Sequence, residues 1–212
     1  MGTAVQDAHD GTPGGGEDGR EDGGRRFLFL LGSTRRDGNT EQLARHAAAH
    51  LPEATPQRWL RLGELSLPRF EDVRHSGTGE YPRPEGDLGL LLDATLDATD
   101  LVIASPLYWY SVSADTKLYL DHWSGWLRVP GIDFRARMSG RTLWGVTALA
   151  TADQTVAGPL AGTLRHTAAF LRMRWGGVLL GNGTRPGHVL ADTGALAEAA
   201  SFFTRHPADA PA

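Results

Sequence analysis

The sequence predicts a three-layer α/β/α fold on a doubly wound, five-stranded parallel sheet, and three observations carry that expectation. Five short apolar runs of strand length alternate along the chain with segments of helical period. Two of the runs, FLFLL at 27–31 and LVIAS at 101–105, are apolar almost without interruption, as strands covered on both faces are. Successive runs are far enough apart to be joined by crossovers, which are right-handed between parallel strands.

After the first strand at 27–31, a helix is expected over 39–51. There Leu43, Ala44, Ala47, Ala48 and Leu51 share one face, and His46 and His50 lie to its side and back. RWLRL at 58–62 supplies the second strand and 86–98 the second helix. The strand at 101–105 leads to a helix at 112–127, TLWGV at 142–146 to one at 158–173, and GVLLG at 177–181 to the last at 192–205. The connection 66–87 is long and rich in proline, glycine and charge, as functional lids and mobile excursions are. Residues 1–25 are mostly glycine and charged side chains and cannot bury enough apolar surface to offset the entropy of ordering, so a disordered tail is expected. A frayed tail is expected at 206–212 as well, which leaves 26–205 as one domain.

A chain of 212 residues suits one domain with a substantial core, and 41% hydrophobic with 22% charged residues is a globular balance. No stretch approaches the roughly 18–20 apolar residues of a membrane helix. The N-terminus lacks the layout of a signal peptide, so a cytoplasmic protein with no membrane partner is expected. The absence of cysteine removes disulfides, thiolate nucleophiles and cysteine-ligated metals. A net charge of -4 offers no basic footprint for nucleic acid, so any anion would have to be gripped locally.

Two stretches can do chemistry, and both follow strands at the edge where doubly wound sheets bind ligands. In GSTRRDGNT, 32–40, Ser33 and Thr40 supply hydroxyls, Arg35 a charged donor and Gly38 room for close approach. Asn39 with Gln42 three residues on has the form of a helix cap. The stretch reads either as a capped polar turn or as an anion cradle at a helix N-terminus. It is neither G-x-x-x-x-G-K-[ST] nor G-x-G-x-x-G, which disfavours nucleoside triphosphates and a primary dinucleotide site. After the third strand, Pro106, Leu107, Tyr108, Trp109, Tyr110 and Ser111 place three consecutive aromatics at the sheet mouth. They would line a slot for a flat ring, or else cap the sheet or form a dimer surface.

Together, GSTRRDGNT and SPLYWYSVSADTKLYLDHW resemble the NADPH-dependent FMN reductase family of flavodoxin-like oxidoreductases. The resemblance implies FMN as cofactor, its phosphate on Ser33, Arg35, Gly38, Asn39 and Thr40 and its ring framed by Pro106, Leu107, Tyr108, Trp109, Tyr110 and Ser111. It further implies hydride transfer from NADPH or NADH to a small redox acceptor in ping-pong order, commonly in a homodimer, with no catalytic side chain. A flavodoxin-like electron carrier and a non-catalytic member without flavin are the alternatives. A third family loop would fall near 147–155, where the match assigns no residue. Arg36 would meet a 2′-phosphate or solvent. GNGTRPG at 181–187 reads as a plain turn, His46 and His50 lack a third metal ligand, and Asp121 and His122 diverge as helix neighbours rather than pairing.

Overall fold

The computed structural model describes residues 24–205 and 207–209. Most of the expected N-terminal tail, 1–23, lies outside the described residues. Strands β1 (Phe27–Leu31), β2 (Gln57–Arg61), β3 (Asp100–Ala104), β4 (Thr142–Leu149) and β5 (Arg174–Asn182) form a parallel sheet in the order β2-β1-β3-β4-β5. A two-residue strand, β6 (Ala208–Asp209), adds antiparallel to the start of β5, within the segment expected to fray.

Period-two alternation splits the apolar strands between two cores. Phe27, Phe29 and Leu31 point to one side, where α1 (Asn39–Ala48) and α6 (Thr193–Phe202) cover them. Leu28 and Leu30 point to the other, under α2 (Gly86–Asp97), α3 (Ala114–Trp126), the short α4 (Phe134–Met138) and α5 (Gly158–Phe170). Helix α4 was not expected, because five residues carry too little periodicity to be seen. No described helix is long and apolar enough to cross a membrane.

The 66–87 connection does not border the main cavity; it is strapped along the outside of α3. Phe70 stacks on Tyr81 at 6.0 Å, and Tyr81 packs where a Cβ on Gly125 would lie 3.1 Å from its ring. The Tyr81 hydroxyl donates to Glu71 O and accepts from Val73 N, and the buried His122 meets Pro68 O at 2.9 Å. Burial holds the His122 imidazole below its usual pKa.

At the N-terminal edge of the sheet, β5 skips a register between Leu143 and Trp144. A Cβ on Gly176 would lie 2.1 Å from the Trp144 ring, and Gly177 has φ 94, so two glycines form a bulge that admits a fully buried indole. Its Nε1 donates to Asp100 Oδ1 at 2.9 Å, and Arg25 donates to both Asp100 oxygens at 3.1 and 2.6 Å. Asp100 is thus a buried carboxylate held by two residues distant in sequence, Arg25 and Trp144, and by the neighbouring Thr99 hydroxyl.

Asp100→Ala strands the buried indole N–H and leaves Arg25 only its bond to Phe203 O, and should cost about 3 kcal/mol in urea unfolding. Asp97→Ala, which breaks the exposed pair with Arg26, should cost less than about 1 kcal/mol.

Candidate functional site

Strands β1 and β3 lie side by side, yet the chain leaves β1 for the α1 face and β3 for the α3 face. That reversal opens a crevice at their carboxyl ends. Gly32 sits in it, its N–H on Ala104 O at 2.9 Å. A Cβ there would lie 2.1 Å from Thr116 Oγ1, so only glycine lets the first loop pass this close to α3. Ser113 caps α3 by accepting from Thr116 N, and its own N–H is held by Ser105 Oγ at 2.9 Å.

Arg61, at the end of β2, organises the first loop. Its guanidinium donates to Ser33 O and Arg35 O at 3.1 and 3.2 Å and to Glu41 Oε2 at 2.6 Å. The Glu41 side chain, 2% exposed, also takes Asp37 N and two donors from Arg45. Burial pushes the Glu41 carboxyl up, but the Arg61 and Arg45 hydrogen bonds outweigh it and hold the group below its ordinary value. Ser33 Oγ accepts from Arg35 N, which tightens the turn further.

The cap expected from Asn39 and Gln42 does not form. Gly38, extended at φ -70 and ψ 162, takes the cap position without a side chain, and Gln42 Nε2 donates to Asp37 O. The Asn39 carboxamide instead clamps the loop after β5, with Nδ2 donating to Gly183 O at 2.7 Å and Arg185 O at 2.9 Å. So GNGTRPG is not a plain turn but a wall of the site. Its glycines were the available signal, since a Cβ on Gly183 would lie 2.7 Å from Val189 N and 2.8 Å from Asn39 Nδ2. Thr40 Oγ1 accepts from Ala148 N, tying α1 to the end of β4.

After β3, Tyr108 and Ser111 exchange both backbone hydrogen bonds at 3.0 Å around Trp109 and Tyr110, whose φ angles are 49 and 64. Two positive φ values mark a tight turn of the kind glycine and asparagine favour, so two bulky aromatics store strain there. Trp109 is 92% exposed.

These segments enclose a cavity of about 500 Å³. Of the expected residues, Ser33, Arg35, Gly38, Asn39 and Thr40 line it from the first loop, and Pro106, Leu107, Tyr108, Trp109 and Tyr110 from the second. Ser111 does not, because it closes the base of the aromatic turn. Ala148 at the end of β4 and Ala150, Thr151 and Val156 after it line the cavity as well, where the sequence assigned no residue, and Gly183 and Thr184 complete it. Arg36 is turned away and paired with Glu64. Asp121 pairs with Lys117 rather than with His122, and the described residues hold no cluster of three metal-ligating side chains.

With its carboxyl depressed in the folded chain, Glu41 adds stability above its ordinary value of 4.5 and loses it as pH falls from there through the folded value. Thermal midpoints of wild type and Glu41→Gln should therefore differ most near neutrality and converge on acidification below 4.5.

A family profile described as NADPH-dependent FMN reductase matches residues 25–175. YwqN of Bacillus subtilis (strain 168), named as an NAD(P)H-dependent FMN-containing oxidoreductase, is 32% identical over 185 residues, covering 86% of this chain and 99% of YwqN. The solved Trp repressor binding protein from Bacillus subtilis is 26% identical at TM-score 0.66, covering 85% of this chain and 99% of that one. An FMN-dependent NADH-azoreductase from Bacillus anthracis, solved in complex with FMN, shares the fold at TM-score 0.60 and 15% identity, over 85% of this chain and 98% of its own. Sequence match and fold agree: the chain belongs to the NADPH-dependent FMN reductase family.

Proposed function

We propose that the cavity between the β1 and β3 loops binds FMN and that the chain uses it to carry hydride from NADPH or NADH to a small acceptor such as a flavin or quinone. The observation that carries this reading is that a polar turn bearing Arg35 and an aromatic turn meet in one cavity of about 500 Å³. Such a volume suits one nucleotide-sized ligand, polar at one end and apolar at the other.

The donor set fits the group. Ser33, Arg35, Gly38, Asn39 and Thr40 line this end of the cavity, and their hydroxyls, the guanidinium and the first-turn amides of α1 would hold a phosphate, which the helix N-terminus also favours. Pro106, Leu107, Tyr108, Trp109 and Tyr110 offer apolar surface and ring faces for a planar system. When bound, FMN supplies the hydride chemistry itself. The protein binds, orients and shields, and no side chain serves as nucleophile. Donor and acceptor use the same cavity in turn, which makes the kinetics ping-pong. A second copy of the chain would cover the exposed aromatic turn in a homodimer, read by sedimentation velocity.

Purified protein loaded with FMN should show flavin absorbance that NADPH or NADH bleaches under anaerobic conditions. FMN at a hundredfold excess over its Kd should stabilise the fold by about 2.7 kcal/mol; no binding and no stabilisation would refute the reading. Arg35→Ala should weaken FMN binding about tenfold by equilibrium titration. Arg36→Ala should leave it unchanged, because Glu64 already holds that side chain outside the cavity.

A further inference from the structure

Opposite the cavity, at the amino edge of the sheet, four arginines gather where the strands begin. Arg26 precedes β1, Arg141 precedes β4, Arg137 lies in α4 and Arg172 comes just before β5. The Arg141 guanidinium donates to Ala98 O and Arg137 O, and Arg26 donates to Asp97 O. Arg172, at φ 56, lends its carbonyl to Gly140 N at 2.9 Å and so joins the loops before β4 and β5. Neighbouring strands run about 4.8 Å apart, which puts the chain ends carrying Arg26 and Arg141 only about 10 Å from each other across β3.

The face is short of carboxylates. Asp97 pairs with Arg26 at 3.5 Å, while the exposed Arg137 and Arg172 side chains make no ion pair or hydrogen bond among the described residues. Burial, and after it the Arg137 and Arg26 charges, hold the Arg141 guanidinium below its usual value, and Asp97 counters with the smallest pull. The anions that would balance it are in the same chain. Residues 7–22 carry Asp7, Asp10, Glu17, Asp18, Glu21 and Asp22 against Arg20, a net charge of -5, whereas the whole chain carries -4. That segment leads directly to Arg25, which Asp100 holds at this same edge. At up to about 3.3 Å per residue it is long enough to cross every strand end of the face.

We propose that the acidic segment 7–22 folds back onto the arginine face and occupies it as an internal polyanion. Its contacts are exposed ion pairs, each weak and screened by salt, and the tether at Arg25 keeps the segment at high effective concentration. Occupied in this way, the face is closed to polyanions from outside. Nothing in the proposal draws on the flavin reading, because the cavity lies at the other edge of the sheet.

The chain has no cysteine, so Gly15→Cys accepts a nitroxide label at one place. In low salt the label should broaden the amide signals of residues 137–141 and 172–174. The broadening should fall by about half or more at about 1 M NaCl, where screening shortens to about 3 Å. It should fall equally in low salt when Arg137→Gln and Arg172→Gln are combined, two exposed changes whose effect on folding is checked by the thermal midpoint. On a heparin column, Glu17→Gln, Asp18→Asn, Glu21→Gln and Asp22→Asn together should move elution to higher salt, and the two arginine substitutions should cancel that shift. The proposal is overturned if the broadening ignores both salt and the arginine substitutions, as it would for a segment that merely begins nearby. It is overturned equally if neutralising the segment leaves heparin elution unchanged.

Discussion

The Arg61 guanidinium is the interaction around which the site is assembled. It holds the Ser33 and Arg35 carbonyls from beneath and meets a glutamate from the first turn of α1, so strand, loop and helix share one cation. Burying Glu41 alone would cost several kcal/mol; two arginines and a backbone N–H return that cost and convert it into a fixed loop shape. A loop held this way meets a ligand with its geometry already set, which is where preorganised sites save binding free energy.

Much of this architecture was legible in the chain, and for a common reason. The FLFLL and LVIAS runs and the face formed by Leu43, Ala44 and Ala47 obey local periodicities that burial enforces, so strands and helices fall within a few residues of where the pattern puts them. The two loops were legible because their composition contrasts with the apolar runs before them.

What escaped is non-local. Nothing around Arg61 marks it as a brace, since the loop carbonyls and the glutamate of α1 that it holds lie 20 to 28 positions away and its strand sits at the sheet edge. Asn39 looked like a cap because caps depend on near neighbours, yet its partners stand 144 and 146 residues on. Ser111 belonged to the right turn, but a turn that reverses on itself points its last residue away from the cavity its first residue faces. The 66–87 excursion has the length of a lid, and tertiary contacts through Phe70, Tyr81 and His122 make it a strap on α3.

The Asp100 network has a practical side. It anchors Arg25 at the amino ends of the strands, across the whole sheet from the cavity mouth. A reporter, affinity handle or surface tether joined upstream of Arg25 therefore starts its path on the blind side of the molecule. Immobilising the protein through that end leaves the nucleotide-facing edge turned toward solution, which makes it the natural attachment point for an electrode-coupled or surface-displayed form.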